Sequence, residues 1–232
     1  MATTFRFGIR TEQPTDGPKE STVGLDRQTL QAYEQDPGLF DRLDRFAITP
    51  HNQPLLFETF PARNPFGKQP SVLDVGCGAG TYTRWFLNRG YNAYGIDPWQ
   101  SGIARAKSIY PALTERLQSG HLPCIEKPFH KDGFDWVFCS AVLMHLPNLP
   151  VLEAAAQNIR TLVKPGGKIY LSTSGEGRDL NADRRDKQGR FYLDLPPATL
   201  QKTFEQQGFS LIRQADNIDD RGIHWHSFIF QG

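Results

Sequence analysis

The 232-residue chain is short of net charge, of cysteine and of long apolar runs. Lysine and arginine total 26 against 25 acidic residues, a formal net charge of +1. That balance lacks the electrostatic footprint of a protein built to cover duplex nucleic acid or an anionic membrane. No stretch approaches the roughly 20 apolar residues of a membrane-spanning helix. Residues 1–20, MATTFRFGIRTEQPTDGPKE, lack the apolar core of a secretory signal. The three cysteines, Cys77, Cys124 and Cys139, are an odd number without zinc-ligand spacing, which excludes a disulfide scaffold. Internal repeats, heptads and low-complexity blocks are absent. These absences leave a reduced, cytoplasmic globular chain, and its 38% hydrophobic content suffices for one full core.

What is present centres on residues 71–80, SVLDVGCGAG. Val72, Leu73 and Val75 make a short buried-strand pattern interrupted by Asp74. Gly76, Gly78 and Gly80 follow at alternate positions, and Thr81 opens a helix. A strand that turns through glycines into a helix brings the backbone close to a ligand, because no Cβ intervenes.

Upstream, residues 1–20 read as a mobile tail and 21–69 as a helical cap. Apolar spacing predicts two short helices between Leu25 and Phe46, parted by Pro37-Gly38, and a third over 52–60. From residue 70 to 232 strands alternate with helices. Strands are expected at 72–75, 92–96, 122–125, 134–140 and 168–172, with helices at 81–88, 98–110 and 151–162. A helix at 196–207 and strands at 209–213 and 226–230 close the chain. The alternation implies an α/β domain, a Rossmann-like, doubly wound, mainly parallel sheet with helices on both faces and an antiparallel strand near the C-terminal end. The charged segment 175–192, with Arg178, Arg184, Arg185 and Arg190, reads as a solvated loop, although it leaves the carboxyl end of a central strand, where such sheets bind ligands.

Asp97 ends the second strand, 17 residues after Gly80, where a carboxylate accepts hydrogen bonds from ribose hydroxyls. A dinucleotide site wants Gly-x-Gly-x-x-Gly, and here the glycines are spaced by two throughout, which disfavours NAD. The combination VLDVGCGAG, GIDPW, FDWVFCSAVLMHLP and LVKPGGKIYLST resembles the class I S-adenosylmethionine-dependent methyltransferases over about residues 70–230. The 175–192 loop and the late GIHWHSFIF resemble small stand-alone members of the tellurite-resistance-like and methyltransferase-11/25 type. The resemblance implies a seven-stranded sheet and S-adenosyl-L-methionine as cofactor. It implies that Asp74 lies near the methionine amino group and that Gly76, Cys77, Gly78 and Gly80 cradle the methionine and ribose. Asp97 would hold the ribose, with Pro98 and Trp99 lining the adenine pocket and Cys139 or Ser140 beside the sulfonium. Where many relatives carry an adenine-binding acid, this chain has His121, so the Leu122 backbone is expected in that role.

A soft or ionised acceptor needs no protein base, whereas a hydroxyl or amine needs one within hydrogen-bond reach. His145, Glu176, His224 and Tyr33 are the candidates, and His145 and Tyr33 have competing packing roles. The expected acceptor is a small molecule. RNA, DNA or protein acceptors are alternatives, as is a non-catalytic cofactor-binding scaffold or sensor. No metal is expected, because His224 and His226 lack a third ligand.

Overall fold

The computed structural model describes residues 24–36, 38–63 and 67–232. The tail expected over residues 1–20 lies outside them. Three helices come first: α1 (Arg27–Gln35), α2 (Leu39–Asp44) and α3 (Pro54–Thr59). The alternating part then runs β1 (Ser71–Val75), α4 (Thr81–Asn88), β2 (Asn92–Asp97), α5 (Gln100–Ile109), β3 (Leu117–Ser119), β4 (Phe134–Ser140), α6 (Leu149–Leu162), β5 (Val163–Ser174), α7 (Pro197–Gln206), β6 (Ser210–Ile218) and β7 (His224–Gln231).

All seven strands form one sheet in the order β3-β2-β1-β4-β5-β7-β6. Neighbours from β3 to β5 pair in parallel, while β7 runs antiparallel to both β5 and β6. Only β7 therefore opposes the rest, in agreement with the doubly wound expectation. Among the described residues, no helix is long and apolar enough to cross a membrane.

Strand alternation sorts side chains to the two faces. Leu73, Val75, Val137 and Cys139 join Leu152, Ile159, Leu200 and Phe204 of α6 and α7 in the larger core. Val72, Phe138 and Tyr170 instead meet Leu56 and Phe60 near α3 and Phe86 of α4. Asp74 falls on this second face, where Thr83 of α4 meets it.

The strand expected at 122–125 is not there. The third strand is Leu117–Ser119, paired with Gly95–Asp97. Leu122 and Ile125 are buried apolar residues of an irregular connection, and Pro123 between them has no N–H to donate to a ladder. Asn158 of α6 closes that backbone instead, accepting from Ile125 N–H at 3.0 Å and donating to its carbonyl at 2.8 Å. Helix 81–88 and strand 134–140 have the expected bounds, and the other expected elements are present with shifted ends. The largest shifts are in β5, which begins at Val163, and β6, which continues to Ile218.

Candidate functional site

The carboxyl ends of β1, β2, β4 and β5 open on one edge of the sheet, and the expected site residues gather there. Gly76, Gly78 and Gly80 all have positive φ (76°, 53° and 75°), the left-handed region that glycine enters without penalty. A Cβ on Gly76 would lie 2.1 Å from Cγ2 of Val142, so the turn needs glycine for space as well as for conformation. Gly76 and Cys77 donate their N–H groups to the carbonyl of Ile96, at 2.8 and 3.2 Å, binding the turn to β2.

Asp97 locks this junction. Its Oδ2 accepts from Gly78 N–H and its Oδ1 from Trp99 N–H, both at 2.8 Å. Burial raises its pKa above the ordinary carboxylate value, while the two backbone donors pull it back. Asp74, 2% exposed, accepts from Thr83 Oγ1 at 2.7 Å. Desolvation pushes it up to about 7, with the nearby Asp97 charge adding to the effect.

Not every predicted side chain faces the opening. Cys139 is fully buried in the larger core and burial raises its thiol pKa, so its side chain is not beside the mouth. Cys77 is likewise buried, in a cluster with Ala79, Trp99 and Phe40. Ser140 Oγ lies 2.7 Å from Ser172 Oγ, committed to its neighbouring strand. Pro98 is half-buried between Asp97 and Trp99. His121 follows β3, and its Nδ1 donates to the carbonyl of Leu122 at 3.0 Å, so that carbonyl is already engaged.

The four candidate bases separate into two groups. Tyr33 and His145 meet: Tyr33 Oη lies 3.3 Å from His145 Nε2. His145 Nδ1 lies 2.7 Å from the carbonyl of Phe191. A carbonyl only accepts, so Nδ1 carries the proton and Nε2 accepts from the phenol. Burial lowers His145 to about 4 and raises Tyr33 to about 12, which keeps both neutral at pH 7. Glu176 and His224 do not join this pair. Glu176 is exposed, and its link to His224 is through backbone, with His224 N–H donating to the Glu176 carbonyl at 3.0 Å. His226 holds Asp216 at 2.7 Å, and no group able to hold a metal ion is found among the described residues.

The N-terminal helices close over the turn. Leu43 carbonyl accepts from Thr81 Oγ1 at 2.7 Å, and Phe40 packs on Trp99 with ring centroids 6.3 Å apart. Tyr33 of α1 stands 6.4 Å from the Trp99 ring.

The 175–192 segment is solvated only in part: Glu176, Asp179 and Lys187 are exposed as its composition predicts, while other residues are pinned into the fold. Arg185 grips Asp26 at the N-terminus of α1, Phe191 N–H donates to Thr29 Oγ1 at 2.8 Å, and Arg190 pairs with Asp186. Tyr192, which sequence reasoning passed over, packs against His145 with ring centroids 4.7 Å apart. Its one sequence signal is position, as an aromatic at the end of a charged segment leaving β5.

This donor set fits a nucleoside sulfonium cofactor. The Trp99 indole Nε1 is a buried donor without a hydrogen-bond partner among the described residues, and the Trp99 side chain packs with Cys77 and Ala79 of the glycine turn. An aromatic base and a ribose would meet a ring and a carboxylate with spare lone pairs, and the tail would meet a glycine turn where no Cβ bars close approach.

Comparison with known proteins points the same way. Residues 73–171 match the family described as "Methyltransferase domain". The ubiquinone biosynthesis O-methyltransferase of Aeromonas salmonicida is 33% identical over 118 residues, covering 47% of this chain and 44% of that protein. The tRNA U34 carboxymethyltransferase of Haemophilus influenzae is 30% identical over 176 residues, covering 73% of this chain and 50% of that protein. The chain thus spans half or less of the length of these curated relatives. The magnesium protoporphyrin IX methyltransferase from Synechocystis PCC 6803, solved with bound S-adenosylmethionine, superposes with a TM-score of 0.64 at 16% identity, over 91% of this chain and 99% of that one. At that identity the likeness speaks to the fold.

Proposed function

Because residues 73–171 match the methyltransferase-domain family and the fold is shared with a solved methyltransferase, we propose that the chain is a class I S-adenosylmethionine-dependent methyltransferase that transfers a methyl group to a small-molecule acceptor bound between α1 and the 175–192 segment. The observation that carries this reading is the Asp97 carboxylate, which ties the glycine turn to the end of β2 while retaining lone pairs for ribose hydroxyls. Bound there, S-adenosylmethionine supplies an electrophilic methyl carbon on a sulfonium.

The residues of the chain do the rest by positioning. Gly76 and Gly78 let the backbone approach the cofactor tail, and Asp97 and Trp99 hold the nucleoside. Tyr33, Trp99 and Phe40 form an aromatic lid that excludes water, which favours an in-line displacement between oriented groups. His145 is presented with Nε2 unprotonated at neutral pH, positioned to accept the proton of a hydroxyl or amine acceptor once Tyr33 yields its hydrogen bond. The cap at 21–69 and the sheet at 70–232 act together in this reading, the cap supplying Tyr33 and the sheet supplying the cofactor cradle.

An RNA acceptor is the second reading, favoured by the breadth of the alignment with the tRNA U34 carboxymethyltransferase. Retention of bulk tRNA by the protein in a gel-shift assay would support it, and methylation of small phenols with no tRNA binding would remove it.

The central test is calorimetry with S-adenosylhomocysteine on the wild type and Asp97→Ala. Wild type should bind and the variant should lose at least ten-fold in affinity, the scale of losing charge-assisted hydrogen bonds. Undiminished binding by Asp97→Ala, or none by the wild type, would sink the assignment.

A further inference from the structure

Four arginines stand in the connection between β5 and α7, and three of them are matched with carboxylates. Arg185 meets Asp26 at 2.7 Å, Arg190 meets Asp186 at 2.6 Å and Arg184 lies 3.7 Å from Asp194. Arg178 differs. Among the described residues its guanidinium has no carboxylate within the 4.0 Å of an ion pair. Nε donates to Ser174 Oγ at 2.7 Å and Nη1 reaches Tyr192 Oη at 3.4 Å, both neutral hydroxyls. No hydrogen bond from Nη2 to the described residues is found.

The guanidinium rests on two aromatic faces, 4.4 Å from the Tyr192 ring centroid and 5.4 Å from that of Trp225. Such contacts offset only part of the cost of holding a half-buried cation out of water. Nearby charges do not complete the balance. Arg190 and Arg221 add positive charge, and the acids facing them, Asp186 and Asp219, are already bound to those two arginines. Desolvation lowers the Arg178 pKa, as expected of a cation without a matched counter-charge. Its fork therefore retains donor capacity of the kind that binds planar anions in pairs.

Position gives this cation its use. The Tyr192 ring under Arg178 also packs on the His145 imidazole, 4.7 Å away between centroids, so the guanidinium and the candidate proton acceptor flank one phenol ring. Ser174, which holds Arg178, is the last residue of β5, on the same edge as the glycine turn.

We propose that Arg178 binds an anionic group, carboxylate or phosphate, on an aromatic or otherwise planar methyl acceptor, and thereby orients the acceptor's nucleophile toward His145. The proposal rests on the reading of this edge as a methyl-transfer site and narrows its substrate class to acidic small molecules.

The test uses the full chain saturated with S-adenosylhomocysteine and follows tryptophan fluorescence during titration with benzoate, phenyl phosphate or the neutral analogue benzamide. At least one anion should bind ten-fold or more tighter than benzamide, the scale of one charge-assisted contact. The better anion names the group. Arg178→Met should lose that preference while S-adenosylhomocysteine affinity stays within about two-fold, a margin well below one lost hydrogen bond. Arg178→Lys, which keeps the charge without the fork, should fall between. Equal binding of benzamide and both anions by the wild type, or no binding of either anion, overturns the proposal without reference to any variant. So does an unchanged preference in Arg178→Met. Failure to bind S-adenosylhomocysteine at the outset instead strikes the methyltransferase reading beneath it.

Discussion

The phenol of Tyr33, on the first helix, hydrogen-bonds at 3.3 Å to Nε2 of His145, just beyond the fourth strand. A residue of the helical cap thus occupies the lone pair that an acceptor would need.

Replacing Tyr33 with Phe keeps the ring against Trp99 and removes only the hydroxyl. S-adenosylhomocysteine affinity should stay within about two-fold, since no cofactor-facing donor is lost. His145→Gln should lower kcat by on the order of 10²–10⁴ if the acceptor is a hydroxyl or amine. With an acceptor already ionised, the same variant should leave kcat within about ten-fold and shift only KM. Steady-state kinetics on both variants distinguishes the two cases.

The glycine turn permits a paired comparison. Gly76→Ala places a methyl 2.1 Å from Val142 at φ 76°, whereas Gly208→Ala has a similar φ of 81° and none of the described residues within 4 Å. Both should lose roughly 1–2 kcal/mol from the left-handed backbone. Gly76→Ala should lose about 1–3 kcal/mol more from overpacking, together with S-adenosylhomocysteine binding. Urea denaturation would show it, and equal losses at the two positions would mean that the Val142 contact relaxes.

Asp74 predicts a pH dependence of definite sign. Its folded pKa of about 7 lies above its unfolded value, so the native state holds the proton more tightly. The stability contributed is full below about pH 4 and declines as pH rises to about 7. Asp74→Asn, whose amide oxygen still accepts from Thr83, removes that decline. The variant's stability relative to wild type should rise between pH 5 and pH 8, by up to roughly 2.5 kcal/mol. His145, with its lowered pKa, acts in the opposite direction over part of the same range, being destabilising as pH falls from about 6.5 to about 4. The difference between variant and wild type, measured by thermal melting at both pH values, cancels that contribution.

The ion pair between Asp26 and Arg185 should hold the cap. Arg185 donates from both terminal nitrogens, at 2.9 and 2.7 Å, and the pair is mostly shielded from solvent. Arg185→Met strands a partly buried carboxylate, which costs about 3 kcal/mol when such a pair is broken deep in a protein and less here. Amide exchange over α1 should accelerate while that of β1 and β4 is unchanged. Uniform acceleration across the sheet would instead make the pair a general stabiliser.

Much of this was readable from the chain because its signals are local. Gly76, Gly78 and Gly80, the strand before them and Asp97 lie within a few tens of residues, and each has a backbone reason for its type. The third strand was misplaced because its three residues contain one apolar side chain, Leu117, whereas Leu122 and Ile125 mimic a strand while serving as core plugs. The 175–192 segment looked solvated because its partners are remote. Nothing near Arg185 announces Asp26, which lies 159 positions away, and the Tyr33–His145 contact spans 112. Composition records charge, while pairing is a property of the fold.

The closure of α1 has a thermodynamic consequence. This one helix touches Trp99 on the proposed cofactor side through Tyr33 and the 175–192 segment on the proposed acceptor side through Asp26 and Thr29. If α1 opens in solution, closing it again is a cost that both ligands would otherwise meet separately, so whichever arrives first leaves less for the second. Cofactor and acceptor should therefore bind with positive cooperativity, and by linkage each must raise the affinity of the other by the same factor.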